Sequence, residues 1–158
     1  MVRMNAPRRL TVVLAIAAAI TAACVSSRST GTPGAPSASL DLTGTWRGDF
    51  TVQGVSAEMV WTLSQSGTSV TGPVLVRMPN GVVLLNGFLT GTLTGSTLPY
   101  TISVGPQGIP SQPACAGQLA GTMTATQGAP STLNGTYSVV SATCTPPFAS
   151  SGNLSLSR

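Results

Sequence analysis

The sequence contains no histidine and no lysine, and only three of its residues are acidic: Asp41, Asp49 and Glu58. Without histidine, the chain lacks the side chain that most often serves as a general base or as a metal ligand. A Ser-His-Asp triad and a Ser-Lys dyad are both excluded, because each lacks one member. We therefore expect no metal site and no cofactor on this chain.

Charge is scarce as well: charged residues make up 6% of the chain, and all seven basic residues are arginines. Arg3, Arg8 and Arg9 lie close to the N-terminus, so most of the net charge of +4 belongs to that segment. The other arginines are scattered and do not form the basic patch that nucleic-acid binding requires. We expect no nucleic-acid partner.

The N-terminus has the order of an export signal. Residues 1–9 are basic, residues 10–20 (LTVVLAIAAAI) are apolar, and small residues then lead to Cys24. This order is typical of a cleaved secretory signal peptide. The apolar run is shorter than the roughly 20 residues that a membrane-spanning helix needs. We therefore predict a signal peptide over residues 1–23.

The run Ile20-Thr21-Ala22-Ala23-Cys24 resembles the lipobox of bacterial lipoproteins. The resemblance implies that Cys24 is lipidated and becomes the mature N-terminus, anchored to a membrane of the cell envelope. In a Gram-negative cell the outer membrane is favoured, because Val25 rather than aspartate follows the cysteine. Two or three acyl chains hold a protein firmly at a bilayer where one chain binds marginally. Thr21 stands where leucine is usual, so simple secretion is the alternative.

The segment after Cys24 is a predicted tether. Residues 25–39 (VSSRSTGTPGAPSAS) consist almost entirely of Ser, Thr, Gly, Pro and Ala. Such a composition buries too little apolar surface to offset the entropy of folding. We therefore predict that residues 24–39 comprise the lipidated cysteine and a disordered tether, and that residues 40–158 form one folded domain.

The predicted domain consists of short strands with alternating apolar and polar residues, which is the pattern of strands with one buried face. One segment, residues 82–89, is apolar at both parities. The pattern predicts about eight strands and an all-β fold. The clearest alternating apolar sets are Trp46, Phe50 and Val52; Ala57, Met59, Trp61 and Leu63; and Leu98, Tyr100, Ile102 and Val104.

A short motif, Leu-x-Gly-Thr followed by a bulky apolar residue, occurs at residues 42–46, 89–93, 119–123 and 133–137. On a strand, it places the leucine, the glycine and the bulky residue on one face and the threonine on the other. A glycine on the inner face permits the sharp bends of a small barrel. The alternative is that Thr-Gly pairs are simply common in β-proteins of this composition.

Gly44-Thr45-Trp46 on the first strand, together with the eight-strand order, resembles the calycins, the lipocalin-like and avidin-like barrels. The resemblance implies a small, antiparallel, up-and-down barrel in which Trp46 plugs one end and Arg158 packs over it. A barrel that binds a small apolar ligand would line its cavity with aromatic rings, and the candidates are Trp46, Trp61, Tyr100 and Tyr137. A β-sandwich with Trp46 as an ordinary core residue is the alternative fold.

Cysteine parity predicts a disulfide. If Cys24 carries lipid, Cys115 and Cys144 remain as a pair in an oxidising compartment. A bond between them closes a loop of about 30 residues, which is worth roughly 3–4 kcal/mol of stability.

The leading functional hypothesis is a lipid-anchored envelope protein without catalytic activity that binds a small apolar ligand or serves structurally. A second hypothesis is an inhibitor-like protein that binds an envelope protein through the Pro-rich loops 105–114 and 141–152, with Ile109 and Phe148 as contacts. A third is a hydrolase that uses Asp49 and Glu58, if a hairpin brings these carboxylates together on its outer face.

Overall fold

The computed structural model describes residues 40–52, 54–145 and 149–158. The predicted signal peptide, Cys24 and the tether, all within residues 1–39, lie outside the described residues, and so does Phe148.

The described residues form eight strands, each antiparallel to the next along the chain, and β8 pairs with β1 to close the sheet. The predicted all-β, eight-stranded, up-and-down barrel is confirmed, and the alternative of a β-sandwich is wrong because the sheet is closed. No helix in the described part of the chain is long and apolar enough to cross a bilayer. The strands are β1 (Gly44–Val52), β2 (Val55–Ser66), β3 (Ser69–Arg77), β4 (Val83–Thr92), β5 (Thr97–Val104), β6 (Gly117–Thr126), β7 (Thr132–Ala142) and β8 (Ser151–Ser157).

The alternating pattern fills the barrel interior with apolar side chains, because successive residues of a strand point to opposite faces. No polar or charged residue is buried among the residues described. On β4, Leu85 and Leu89 face the interior while Phe88, on the other face, is 50% exposed. The largest buried side chains include Trp46, Trp61, Leu42, Leu63, Leu89, Leu98, Ile102, Met123, Leu133 and Leu156.

Two glycines of the recurring motif lie where β6 and β7 press closely together. A Cβ atom on Gly121 would lie 1.9 Å from the carbonyl oxygen of Thr136, and one on Gly135 would lie 1.9 Å from that of Thr122. Thr122 and Thr136 are themselves cross-strand partners. Only glycine fits at these two positions, which supports the interpretation of the motif as a barrel corner.

The outer face is almost free of charge beyond β3. Residues 78–157 contain no charged side chain, and residues 40–158 hold only Arg47, Arg77 and Arg158 against three acids. The side-chain charges of the barrel therefore cancel. The outward positions of β5–β8 carry mainly Thr, Ser and Asn instead, for example Thr122, Thr124, Asn134, Thr136 and Asn153.

The up-and-down order gives the barrel two different ends. The tryptophan end holds the start of β1, the finish of β8 and the turns after β2, β4 and β6. The disulfide end holds the connection from β5 to β6 (residues 105–116) and Cys144, as well as the connection from β3 to β4 (residues 78–82).

Candidate functional site

The tryptophan end is sealed. Trp46 is 1% exposed, and its indole Nε1 donates a hydrogen bond to the carbonyl oxygen of Leu42 at 2.8 Å. The guanidinium carbon of Arg158 lies 4.6 Å from the Trp46 ring centroid, a favourable cation–π position. Arg158 also donates to the backbone carbonyls of Asp41, at 2.7 Å, and of Thr43. The predicted plug by Trp46 and cover by Arg158 are confirmed.

The chain enters the barrel at this sealed end. The amide side chain of Gln65, at the end of β2, accepts from the backbone N–H of Leu42 at 2.8 Å and donates to the carbonyl of Leu40 at 3.0 Å. These bonds fix the segment that leads into β1.

The four aromatic residues of the ligand-binding hypothesis all lie inside the barrel. Trp61 and Tyr100 meet edge to face with their ring centroids 5.1 Å apart, and the Tyr137 ring lies 5.4 Å from that of Phe50. Such pairs contribute about 0.5–1.5 kcal/mol beyond the burial of their area. Around these rings the interior is filled by buried apolar side chains, and none of the four aromatic residues lines the cavity found at the disulfide end.

The polar atoms of these rings differ in whether they have a hydrogen-bond partner. The hydroxyl of Tyr100 donates to the carbonyl of Thr136 at 3.1 Å. Burial raises the pKa of Tyr100, and it also raises the pKa of Tyr137. The indole Nε1 of Trp61 is buried and has no hydrogen-bond partner within the described chain. A buried donor without an acceptor is costly, so it marks a place where an acceptor atom would be stabilised.

The disulfide end is closed by the loop of residues 105–116, and a small cavity lies beneath it. Ile109 and Cys115 are each 4% exposed, and the backbone N–H of Asn86 donates to the carbonyl of Gly108 at 2.6 Å. The predicted disulfide is confirmed, with the Cα atoms of Cys115 and Cys144 5.4 Å apart. The cavity measures about 20 Å³ and is lined mainly by Leu85, Val104, Ile109, Leu119, Val139 and the disulfide.

The loops of the protein-binding hypothesis are held together at their bases. Gln112 donates through its side chain to the carbonyl of Thr145 at 2.9 Å, and Thr143 exchanges hydrogen bonds with Ala116 at 2.9 Å. The side chain of Ile109, however, is buried and forms part of the cavity wall, so it does not point outward from the loop. Any partner contact on this loop would fall to its exposed residues, such as Pro110.

The two carboxylates of the hydrolase hypothesis lie on the outer face, where Asp49 and Glu58 are direct cross-strand partners. Glu58 forms ion pairs with Arg47 at 2.7 Å and with Arg77 at 2.6 Å. Hydrogen bonds from Arg47 and then from Arg77 lower the pKa of Glu58. A carboxyl group held ionised in this way is poorly suited to donate a proton, as the acid of a glycosidase pair must.

A groove on the outer wall was not predicted from the sequence. This outer groove, of about 540 Å³, runs beside the exposed ring of Phe88, where β4 and β5 separate towards the disulfide end. The sequence signal that could have found it is the apolar residue at the outward parity of the segment 82–89. Its lining consists of Pro73, Asn86, Gly87, Phe88, Ser103, Gly105, Pro106, Gln107 and Gly108.

The residues described contain no group of three or more His, Cys, Asp or Glu side chains that could hold a metal ion. No protein-family model, curated protein or solved structure matches the chain. The fold alone therefore defines its class: an eight-stranded, antiparallel, closed β-barrel, an architecture consistent with a calycin-like fold.

Proposed function

We propose that the protein is an exported, lipid-anchored protein of the cell envelope, calycin-like, whose barrel has no catalytic activity and binds a small apolar ligand at the disulfide end. The observation that carries the ligand proposal is the cavity beneath the loop 105–116, which is lined mainly by apolar side chains and the disulfide, with Gln118 and Ser141 beside them. An apolar cavity near an end of a barrel is a usual position for a ligand site.

The contrast between the two ends supports this choice of site. At the tryptophan end, Trp46 and Arg158 are fixed by hydrogen bonds and a cation–π contact. At the disulfide end, the cover is a loop whose residues Ile109 and Cys115 reach inward. Ligand entry at this end requires only the loop to move, and not a strand.

The size of the cavity limits what binds without rearrangement. A volume of about 20 Å³ admits a single water or methyl group. A larger ligand must displace Ile109 outward and enter between Leu85 and Leu119. The favoured ligand is therefore a short apolar chain.

The chain enters β1 at the tryptophan end, where Gln65 fixes Leu40. The predicted tether is therefore joined to the barrel at the end opposite the proposed ligand site.

Quenching by bromo-octanol, a short apolar alcohol that carries a heavy atom, tests the ligand site. The full chain is titrated in one fixed detergent while tryptophan fluorescence is followed. We expect saturable quenching in the wild type and about tenfold weaker binding in Val139→Phe, because the new ring fills the cavity.

Val140→Phe is the matched control, since the neighbouring side chain is 62% exposed on the outer face and the substitution is chemically the same. Partition of the alcohol into detergent is equal in all three samples. Quenching that rises linearly, or that is identical in Val139→Phe and the wild type, would refute the ligand proposal.

A second candidate function, binding of an envelope protein through the loops 105–114 and 141–152, is favoured by one observation. The disulfide and the hydrogen bond from Gln112 to Thr145 hold the two loops together before any partner arrives. Groups that are fixed in advance, as Cys144 and Thr145 are here, lose less conformational entropy on binding.

A further inference from the structure

The outer groove contains an aromatic ring, that of Phe88, which is not part of the hydrophobic core. Among the described aromatic residues, Phe88 alone stands on the outer wall, with half of its surface exposed. Its direct cross-strand partners are Pro73 on β3 and Ser103 on β5, and both are exposed. The ring therefore lies at the centre of three strands with its apolar surface open to solvent.

Two carboxamide side chains flank this ring. The backbone N–H of Asn86 donates to Gly108 at 2.6 Å and that of Gln107 donates to Pro113 at 2.7 Å, so the main chain at both positions is fixed. Their side-chain amides make no hydrogen bond within the residues described, and both residues are exposed. Each amide offers a donor and an acceptor side by side, which matches a pair of neighbouring hydroxyl groups.

Gln107 is held in a conformation that its side chain disfavours. Its φ angle of 68° is in the left-handed region, which glycine adopts readily and other residues adopt at a cost. Strained residues of this kind occur disproportionately at binding sites. A glycine would relieve the strain here but would remove the carboxamide.

Charge narrows the class of ligand. No residue that lines the groove is charged, and residues 78–157 contain no charged side chain at all. An ionic ligand would find no counter-charge, whereas a neutral ligand rich in hydroxyl groups would meet Asn86, Ser103 and Gln107. The groove is an open depression of about 540 Å³ on the surface of the barrel.

We propose that the outer groove binds a neutral oligosaccharide, with one sugar ring stacked on Phe88 and its hydroxyl groups bonded to Asn86 and Gln107. A neighbouring depression of about 510 Å³ shares Ser103 and Gly105 with the groove, which leaves room for a chain of sugar residues. The groove itself shares no lining residue with the apolar cavity, whereas the neighbouring depression shares Val104, Gly117, Gln118, Ser141 and Ala142 with it. The contacts with Phe88, Asn86 and Gln107 are therefore separate from the lipid anchor and from the apolar ligand.

Titration of the isotope-labelled full chain with cellotetraose, maltotetraose and chitotetraose, followed by amide NMR, tests the site. The detergent must carry no sugar headgroup. We expect at least one oligosaccharide to shift the amide signals of residues 86–88 and 103–108 in a saturable manner. Phe88→Ala should weaken that binding by about tenfold, which is the loss of one stacking contact.

Gln107→Gly separates binding from folding. We expect it to weaken oligosaccharide binding while the thermal midpoint stays equal to or above that of the wild type, because glycine accepts the left-handed backbone. Val140→Ala, which removes an exposed side chain elsewhere on the wall, should leave binding unchanged. Binding of bromo-octanol should be unaffected by Phe88→Ala and Val140→Ala, since both positions lie outside the loop that covers the apolar cavity.

The proposal is overturned if none of the three oligosaccharides shifts the groove signals, or if Phe88→Ala and Gln107→Gly bind as the wild type does. It is also overturned if a synthetic peptide of residues 31–39 shifts these signals where the sugars do not, since the groove would then be a docking site for a proline-containing chain.

Discussion

The hydroxyl of Tyr100 is enclosed by the barrel and bonded to the carbonyl of Thr136. Burial, followed by the proximity of Tyr137, raises the pKa of Tyr100. In the unfolded chain a tyrosine ionises near pH 10. Because the folded form keeps its proton to higher pH, Tyr100 contributes stability that is fully present below about pH 10 and is lost as the pH rises further.

We therefore predict that Tyr100 makes the free energy of unfolding fall by on the order of 1 kcal/mol between pH 9 and pH 11. Tyr100→Phe should reduce this fall, since phenylalanine has no proton to lose. The chain has two tyrosines and no lysine, so few other groups titrate in this range. Urea unfolding followed by tryptophan fluorescence at each pH measures the effect. An equal fall in wild type and Tyr100→Phe would contradict it.

Single residues also show which side-chain positions a sequence pattern predicts and which it does not. The alternation of Met59, Trp61 and Leu63 correctly predicts an inward face, because parity along a strand is a local property. The inward direction of Ile109 was not predictable in the same way, since a loop has no periodicity. The ion pair between Glu58 and Arg77 depends on the register of β2 with β3, which no local pattern encodes.

At the scale of elements, the loop 105–116 depends on the disulfide for its position over the barrel. Few backbone hydrogen bonds join this loop to the strands, among them the one from Asn86 to Gly108. The bond between Cys115 and Cys144 joins two connections that are 29 residues apart in sequence. Cross-linking at this separation restricts mainly the unfolded chain.

We predict that the double variant Cys115→Ser, Cys144→Ser loses about 3–4 kcal/mol of stability and retains the eight strands. Urea denaturation gives the free energy, and far-ultraviolet circular dichroism reports the strands. Addition of a reductant should lower the stability of the wild type to that of the variant and leave the variant unchanged. A variant as stable as the oxidised wild type would show that the loop is held by packing alone.

The outer groove also depends on how two strands pair and not on any single residue. Strands β4 and β5 pair only from Phe88 to Gly91 on the β4 side, and Asn86, in the part of β4 that β5 does not pair, donates to Gly108 of the loop. The sequence predicted both strands but not the length over which they pair. The sequence pattern indicated an apolar residue at the outward position 88, but it did not indicate which residues lie across the groove from it.

At the scale of the whole molecule, closure of the sheet brings β8 against β1. A Cβ atom on Gly48 would lie 2.0 Å from the carbonyl oxygen of Ser155, so the two strands approach there as closely as only glycine allows. Closure leaves neither β1 nor β8 as a free edge strand, which protects against edge-to-edge association. The resemblance of Gly44-Thr45-Trp46 to calycins predicted this closure, including the position of Arg158.

Metabolic labelling with a radioactive fatty acid tests the predicted anchor on the intact chain. We expect label on the wild type and none on Cys24→Ala, because the thioether-linked lipid requires the cysteine sulfur. Cys115→Ser is the control, since this thiol belongs to the disulfide and should not affect labelling. An unlabelled wild type, recovered in the medium, would show that the protein is secreted without an anchor.

The balance of Arg47, Arg77 and Arg158 against Asp41, Asp49 and Glu58 gives the barrel no net side-chain charge. If the proposed lipid anchor holds such a body beside the anionic surface of a bilayer, the long-range field of that surface neither attracts nor repels its net charge. Its approach to the surface would then change little with ionic strength.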